Sequence, residues 1–233
     1  MYGKNAAHTD KSFEAELRML RDRLLAMGGL VEKAIAASVR AMIERDGDLA
    51  EQVKTKDREI NRMEVEIDGI CRRILALRQP AASDLRFITT ALKIVVDLER
   101  MGDLAVNVAE RALDLNKAPP LGPMHDFVRI ADLAEEHLKG ALDAFVTNDA
   151  VKAEQVMGSD DIVDALYLKI FNDMILLMME DSKNIRRATS VMFAAKHLER
   201  FADHAVNVAE MVIFMVRGQD VRHPKSRVEN GTP

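Results

Sequence analysis

The chain has 233 residues, 48% hydrophobic and 30% charged, a balance that supports a folded core and excludes a disordered chain. Aromatics are 4%, Gly (11) and Pro (6) are sparse, Trp is absent and Met (14) is plentiful. A sandwich or barrel would need turns and β-branched or aromatic strands, so the expected class is all-α. With 33 basic against 38 acidic residues the net charge is −5, which removes the basic footprint of a nucleic-acid binder.

In chain order, apolar residues recur at helical spacing from about Phe13 to Ile43, ending at Asp46-Gly47-Asp48. Asp48 with Glu51 reads as the N-cap and capping-box partner of a second helix that runs to about Leu77 and stops before Pro80. Ser83 can cap a third helix reaching about Leu115. Residues 118–123, Ala-Pro-Pro-Leu-Gly-Pro, then form a stiff linker that holds half of all the prolines. Periodicity resumes with breaks near Asn148-Asp149 and Asp181-Ser182 and fades after Arg217.

Six helices are therefore predicted, as two tandem pseudo-symmetric three-helix bundles. The expected units are residues 1–117, the linker 118–123, residues 124–217, and a disordered tail at 218–233. Cys71 is the sole cysteine and reads as a small core residue in a reducing compartment. The longest apolar runs, Met174–Met179 and Met211–Val216, are too short to span a bilayer, so a cytoplasmic location is expected. Their methionines read as packing, with a Met-rich groove as the other reading.

The two halves repeat one another. Ala50-Glu51-Gln52-Val53 returns as Ala153-Glu154-Gln155-Val156, and Asp57, Ile60, Met63 and Ile67 return as Asp160, Val163, Leu166 and Ile170. The third helices agree more closely. Leu98-Glu99-Arg100 through Glu110 matches Leu198-Glu199-Arg200 through Glu210 at ten of 13 positions. This is an internal duplication.

Glu99 and Asp103 stand out within it. At about 100° per residue, Asp103 lies roughly 40° from Glu99, with Leu92, Ile88, Val106 and Val95 within a similar angle. Both acids thus fall inside the apolar arc, as do Glu199 and Asp203 among Ala188, Met192, Ala195 and Val206. Exposed acids four apart repel by only about 0.2–0.5 kcal/mol. Buried ones without a counter-charge cost several kcal/mol each. Compensation comes either from hard metal ions bound by oxygen or from Arg and Lys on neighbouring helices.

Asp160 and Asp164 on the second helix of the later half, and Asp57 with Asn61 in the earlier half, add oxygen ligands. No Glu-x-x-His pair of a di-iron bundle is present, nor a phosphate loop, nucleophile elbow or Ser/His/Asp arrangement. His197 and His204 read as satisfied or surface residues, and Arg72-Arg73 and Arg186-Arg187 as solvated or interface charges.

The duplicated Leu-Glu-Arg-x-x-Asp-x-Ala-x-Asn-x-Ala-Glu motif, preceded by Asp84-Leu85-Arg86-Phe87-Ile88, resembles the PhoU family over roughly residues 10–217. The resemblance places the family's E(D)xxxD motifs on Glu99/Asp103 and Glu199/Asp203, with Asp57, Asp160 and Asp164 on partner helices. It implies divalent or trivalent metal, as iron or zinc clusters, on these seven residues. Asn61, standing where the later half has Asp164, departs from full symmetry and leaves equal loading of the halves open. The resemblance also implies a non-enzymatic negative regulator of the phosphate-starvation (Pho) regulon, acting between the transporter ATPase PstB and the histidine kinase PhoR. A homodimer is the expected assembly. The residues alone leave open a carboxylate-metal hydrolase and a metal-free helical adaptor.

Overall fold

The computed structural model describes residues 4–80, 82–122 and 124–221. The architecture is all-α: α1 (Lys4–Glu44), α2 (Gly47–Arg78), α3 (Ala82–Asn116), α4 (His125–Thr147), α5 (Ala150–Met157), α6 (Asp160–Glu180) and α7 (Ile185–Arg217), with a 3₁₀ turn at Ser182–Asn184. No described residue lies in a strand. Six helical segments are thus present, the fifth broken at Gly158 and Ser159 into α5 and α6. Of the tail expected to be disordered, residues 222–233 lie outside the described residues. Among the described residues no helix is long and apolar enough to cross a membrane.

Local chemistry explains the boundaries and corrects two of the expected caps. Asp46, not Asp48, is the N-cap of α2: its Oδ1 accepts from the Leu49 N–H at 2.9 Å, while Asp48 sits in the first turn. Ser83 lies inside α3, which begins at Ala82. Arg45 holds a left-handed backbone (φ 60°) and its guanidinium donates to the Leu115 and Asn116 carbonyls at 3.1 and 3.3 Å. It thereby satisfies carbonyls left open at the end of α3 and complements the negative end of that helix. Asn148, left-handed at φ 53°, closes α4, and Asp149 opens α5 by accepting from the Val151 and Lys152 amides.

The layers follow from where each helix keeps its apolar stripe. Helices α3 and α7, which carry the duplicated motif, pack on each other at the centre. Their shared core is rich in alanine (Ala91, Ala105, Ala109, Ala194, Ala205 and Ala209 are buried), and small residues let the two backbones approach closely. Helices α1 and α2 flank α3, α4 to α6 flank α7, and α1 meets α4 across the halves. At that last contact Gly28 packs closely: a Cβ there would come within 2.6 Å of the Leu142 Cδ1, so the leucine side chain would have to shift. A stacked pair, Phe87 of α3 and Phe145 of α4 (centroids 5.8 Å apart), lies beneath the Arg21 guanidinium of α1, which joins both halves. Arg78 grips Glu16 through two hydrogen bonds of 3.0 and 2.6 Å and ties α2 to α1.

One helix departs from its expected packing. On α6 only Val163 and Ile170 are buried, while Leu168, Ile175, Leu176 and Met179 face solvent, Met179 at 78% exposure. The methionines of 174–179 are therefore in part a surface feature. A helix apolar nearly all round cannot reveal from its sequence which side a neighbour covers.

Candidate functional site: two duplicated acid clusters

Each cluster forms where a partner helix runs beside a central one, α2 beside α3 and α6 beside α7. In the earlier half Asp57 approaches Asp103 and Glu99. Close contact is possible because position 102 is glycine: a Cβ there would lie 3.2 Å from Asp57 Oδ1 and 3.1 Å from the Ile60 Cδ1. In the later half Asp160 and Asp164 approach Glu199 and Asp203, with Ala202 at the position of Gly102. The seven acids singled out from sequence are thus brought together as two groups.

Burial is less complete than the helical-wheel reading implied. Glu199 is buried, 8% exposed. Glu99, Asp103, Asp57 and Asp160 are half-buried, and Asp164 and Asp203 are exposed. The acids occupy the margin of the apolar arc, and the flanking helices cover its middle and leave that margin open.

Burial and mutual repulsion set the electrostatics. Asp57 is held above its ordinary range by burial and then by the Asp103 charge, with the Asn61 amide opposing. Glu99 is raised by burial, then by Asp103, Glu64 and Asp57, against Arg100. Asp160 is raised by burial, then by Asp164, Asp161 and Glu199. Asp203, whose side chain still reaches solvent, is pushed up to about 6 by partial desolvation and then by the charges of Glu199, Asp160 and Asp164, with Lys196 pulling the other way. Each group wants positive charge.

The internal supply of cations is partial. Arg100 reaches Glu99 at 3.5 Å and Asp103 at 3.6 Å, and is largely exposed. Lys196 donates to Glu199 Oε1 at 2.6 Å. Asn61 donates to Asp57 Oδ2 at 2.9 Å. Four side-chain oxygens at the clusters are buried without a hydrogen-bond partner: Asp57 Oδ1, Asn61 Oδ1, Asp160 Oδ1 and Glu199 Oε2. Orphaned buried acceptors of this kind are rare in native proteins and ask for a donor or cation. An all-oxygen donor set suits hard metal ions. Among the described residues, however, no three His, Cys, Asp or Glu side chains stand close enough together to hold an ion as they are.

Sequence reasoning missed the polar residues that surround the acids. Lys196 is one. Another is His137, buried on α4, whose Nε2 lies 2.8 Å from Ser159 Oγ at the break just before Asp160. The halves also differ at the histidines: His204 Nδ1 meets Asp97 Oδ1 at 2.8 Å, whereas the buried Nδ1 of His197 has no partner. The signal was a polar residue on an otherwise apolar arc; for His137 and His204 the partner lies far away in the chain and no spacing rule links them, whereas Lys196 and Glu199 are three apart on α7.

A cleft of about 530 Å³ is lined by Arg18, Arg21, Arg86, Phe87 and Met215 and holds none of the seven acids.

Fold and clusters together define a duplicated all-helical protein built around paired Glu-x-x-x-Asp motifs. The PhoU domain family matches this chain twice, over residues 24–112 and 127–212, so the duplication coincides with two copies of one domain. The chain belongs to the PhoU family. It is 47% identical over 217 residues to the phosphate-specific transport system accessory protein PhoU homolog of Pseudomonas putida, covering 93% of this chain and 85% of that one. The crystal structure of PhoU from Pseudomonas aeruginosa superposes with a TM-score of 0.86 at 46% identity, over 89% of this chain and all of the other (100%). A phosphate transport system regulatory protein PhoU from Streptococcus pneumoniae gives 0.84 at 31% identity, over 90% and 99%.

Proposed function

We propose that this protein is an accessory regulator of a phosphate-specific transport system and a negative regulator of the phosphate-starvation (Pho) regulon. It works in the cytoplasm, as a non-enzymatic link between the transporter ATPase PstB and the histidine kinase PhoR. The observation that carries this reading is the placement of two PhoU domains on the two bundles, with an acid cluster at the same place in each. Relatives bearing the transport-accessory name support it.

In the same reading the clusters hold metal, as iron or zinc. Asp57, Glu99 and Asp103 hold it in the earlier half, and Asp160, Asp164, Glu199 and Asp203 in the later. A bound ion supplies the positive charge these acids lack. The chain's own contribution is to carry the ligands on two helices per half, so that filling a cluster fastens α2 to α3 or α6 to α7. Because the acids do not converge as they stand, filling also requires side chains to turn inward, which couples ion occupancy to the set of those helices. The exposed apolar side of α6 supports self-association as a homodimer.

Complementation tests the regulatory role. A strain lacking the protein should express a phosphate-starvation promoter reporter in phosphate-rich medium, and the wild-type chain should restore repression. Cross-links to PstB and PhoR are expected under the same conditions. Unaltered reporter expression in the deletion strain would sink the regulatory assignment.

A metal-free adaptor has one observation in its favour, since Arg100 and Lys196 already bring cations to the acids. Metal analysis of protein purified without chelator or added metal separates the two readings.

A further inference from the structure

The two clusters are not copies of each other in charge. At the offset that relates Asp57 to Asp160, the position of Glu64 is taken by Tyr167; at the offset that relates Glu99 to Glu199, the position of Val96 is taken by Lys196. The earlier cluster therefore gains an acid, and Glu64 acts on Glu99 electrostatically. The later cluster gains an aromatic ring and a cation instead.

These two replacements act together. The Lys196 Nζ lies 5.0 Å from the centre of the Tyr167 ring and 2.6 Å from Glu199 Oε1, so the ammonium bridges α6 and α7 over the cluster. Its partner is the one buried carboxylate of the seven, whose second oxygen, Oε2, is buried and unpartnered. Charge-assisted hydrogen bonds to buried carboxylates are among the strong ones. In the earlier half the nearby cation is Arg100, at 3.5 and 3.6 Å from its acids and mostly in solvent, so it can swing aside. Val96, the counterpart of Lys196, is 45% exposed and offers no charge.

We infer that Lys196 is a resident counter-cation that competes with an incoming metal ion for Glu199, which makes the later cluster the weaker of two unequal ion sites. The inference rests on the metal reading above. It places at Lys196 and Tyr167 an asymmetry that opposes and outweighs the Asn61 difference, which removes one carboxylate from the earlier cluster. An ion entering the earlier cluster meets Asp57, Glu99 and Asp103, with the Glu64 charge acting on Glu99, and an arginine that lies mostly in solvent. An ion entering the later one must either accept Glu199 through Oε2 alone or expel a lysine held by a ring and a carboxylate.

Calorimetric titration of the chelator-stripped full chain with Mn²⁺ tests this. Glu99→Ala with Asp103→Ala leaves the later cluster as the site; adding Lys196→Val should tighten its Kd by about tenfold or more, the scale of a lost charged hydrogen bond. Glu199→Ala with Asp203→Ala leaves the earlier cluster; adding Val96→Lys there should weaken it by a similar factor. If Lys196→Val fails to fold, judged by circular dichroism, the exposed Val96→Lys change decides. Mn²⁺ affinities that move less than twofold overturn the inference while leaving metal binding intact. No Mn²⁺ binding by any form, wild type included, overturns the metal reading and the inference with it.

Discussion

The His204 imidazole meets the Asp97 carboxylate at 2.8 Å across the α3–α7 packing, and Asn207 Nδ2 approaches the same oxygen at 3.4 Å. Asp97 immediately precedes the duplicated motif and His204 stands in it, yet their counterparts are His197 and Leu104. The bridge between halves is thus made where the repeat is broken. Asp97→Ala and His204→Ala should each lower stability, with a coupling in the double-mutant cycle of about 1 kcal/mol, or more if the imidazole is charged. Urea unfolding of the four proteins gives the number.

Core truncation should act more strongly. Phe201 is fully buried on α7, two residues before Asp203. Phe201→Ala should cost about 3–5 kcal/mol through lost burial and an unfilled cavity. A thermal midpoint unchanged from wild type would contradict the central placement of α7.

Cys71 is buried on α2, and its thiol is pushed up to about 12 by burial and then by the Asp68 charge. The thiol should resist iodoacetamide near neutral pH in the native protein and react freely in denaturant. Modification at a rate independent of added urea would show that α2 does not cover it.

Asp203 and His197 should give opposite pH dependences in metal-free protein. Asp203 rises from 3.8 to about 6 on folding, so the folded state binds its proton more tightly. That contribution is fully present below about pH 4 and is lost as pH rises through about 6. His197 falls from 6.5 to about 4, driven by burial and then by Arg111 and Arg200. Its contribution is present above about pH 6.5 and is lost as pH falls through about 4. Asp203→Asn should therefore be more stable relative to wild type at about pH 7 than at about pH 4, and His197→Gln should lose less stability than wild type over the same fall. Urea midpoints measured in chelator across that range test both signs.

The sequence made the helices and the repeat legible because both are local or periodic properties. Apolar spacing marks a helix wherever it packs, and ten identities in 13 need no structure to be seen. The acids were found because a carboxylate on an apolar arc is costly. Their degree of burial was not legible: it depends on how far a flanking helix extends over the arc, and Asp164 and Asp203 prove exposed while Glu199 is covered. The Lys196–Glu199 bond lies within one helix at i,i+3 and was readable in principle, but its weight comes from the burial of Glu199 and from Tyr167 on α6. The break at Gly158-Ser159 was missed because α2 runs straight through the matching stretch, and the repeat argued for continuity.

The most direct test of the two clusters is the metal content of protein purified without added chelator or metal, wild type beside Glu99→Ala/Asp103→Ala/Glu199→Ala/Asp203→Ala, with folding checked by circular dichroism. The expected result is bound iron or zinc in the wild type and its loss in the folded variant. Equal metal in both proteins, or none in the wild type, would contradict the assignment of these carboxylates as ion sites.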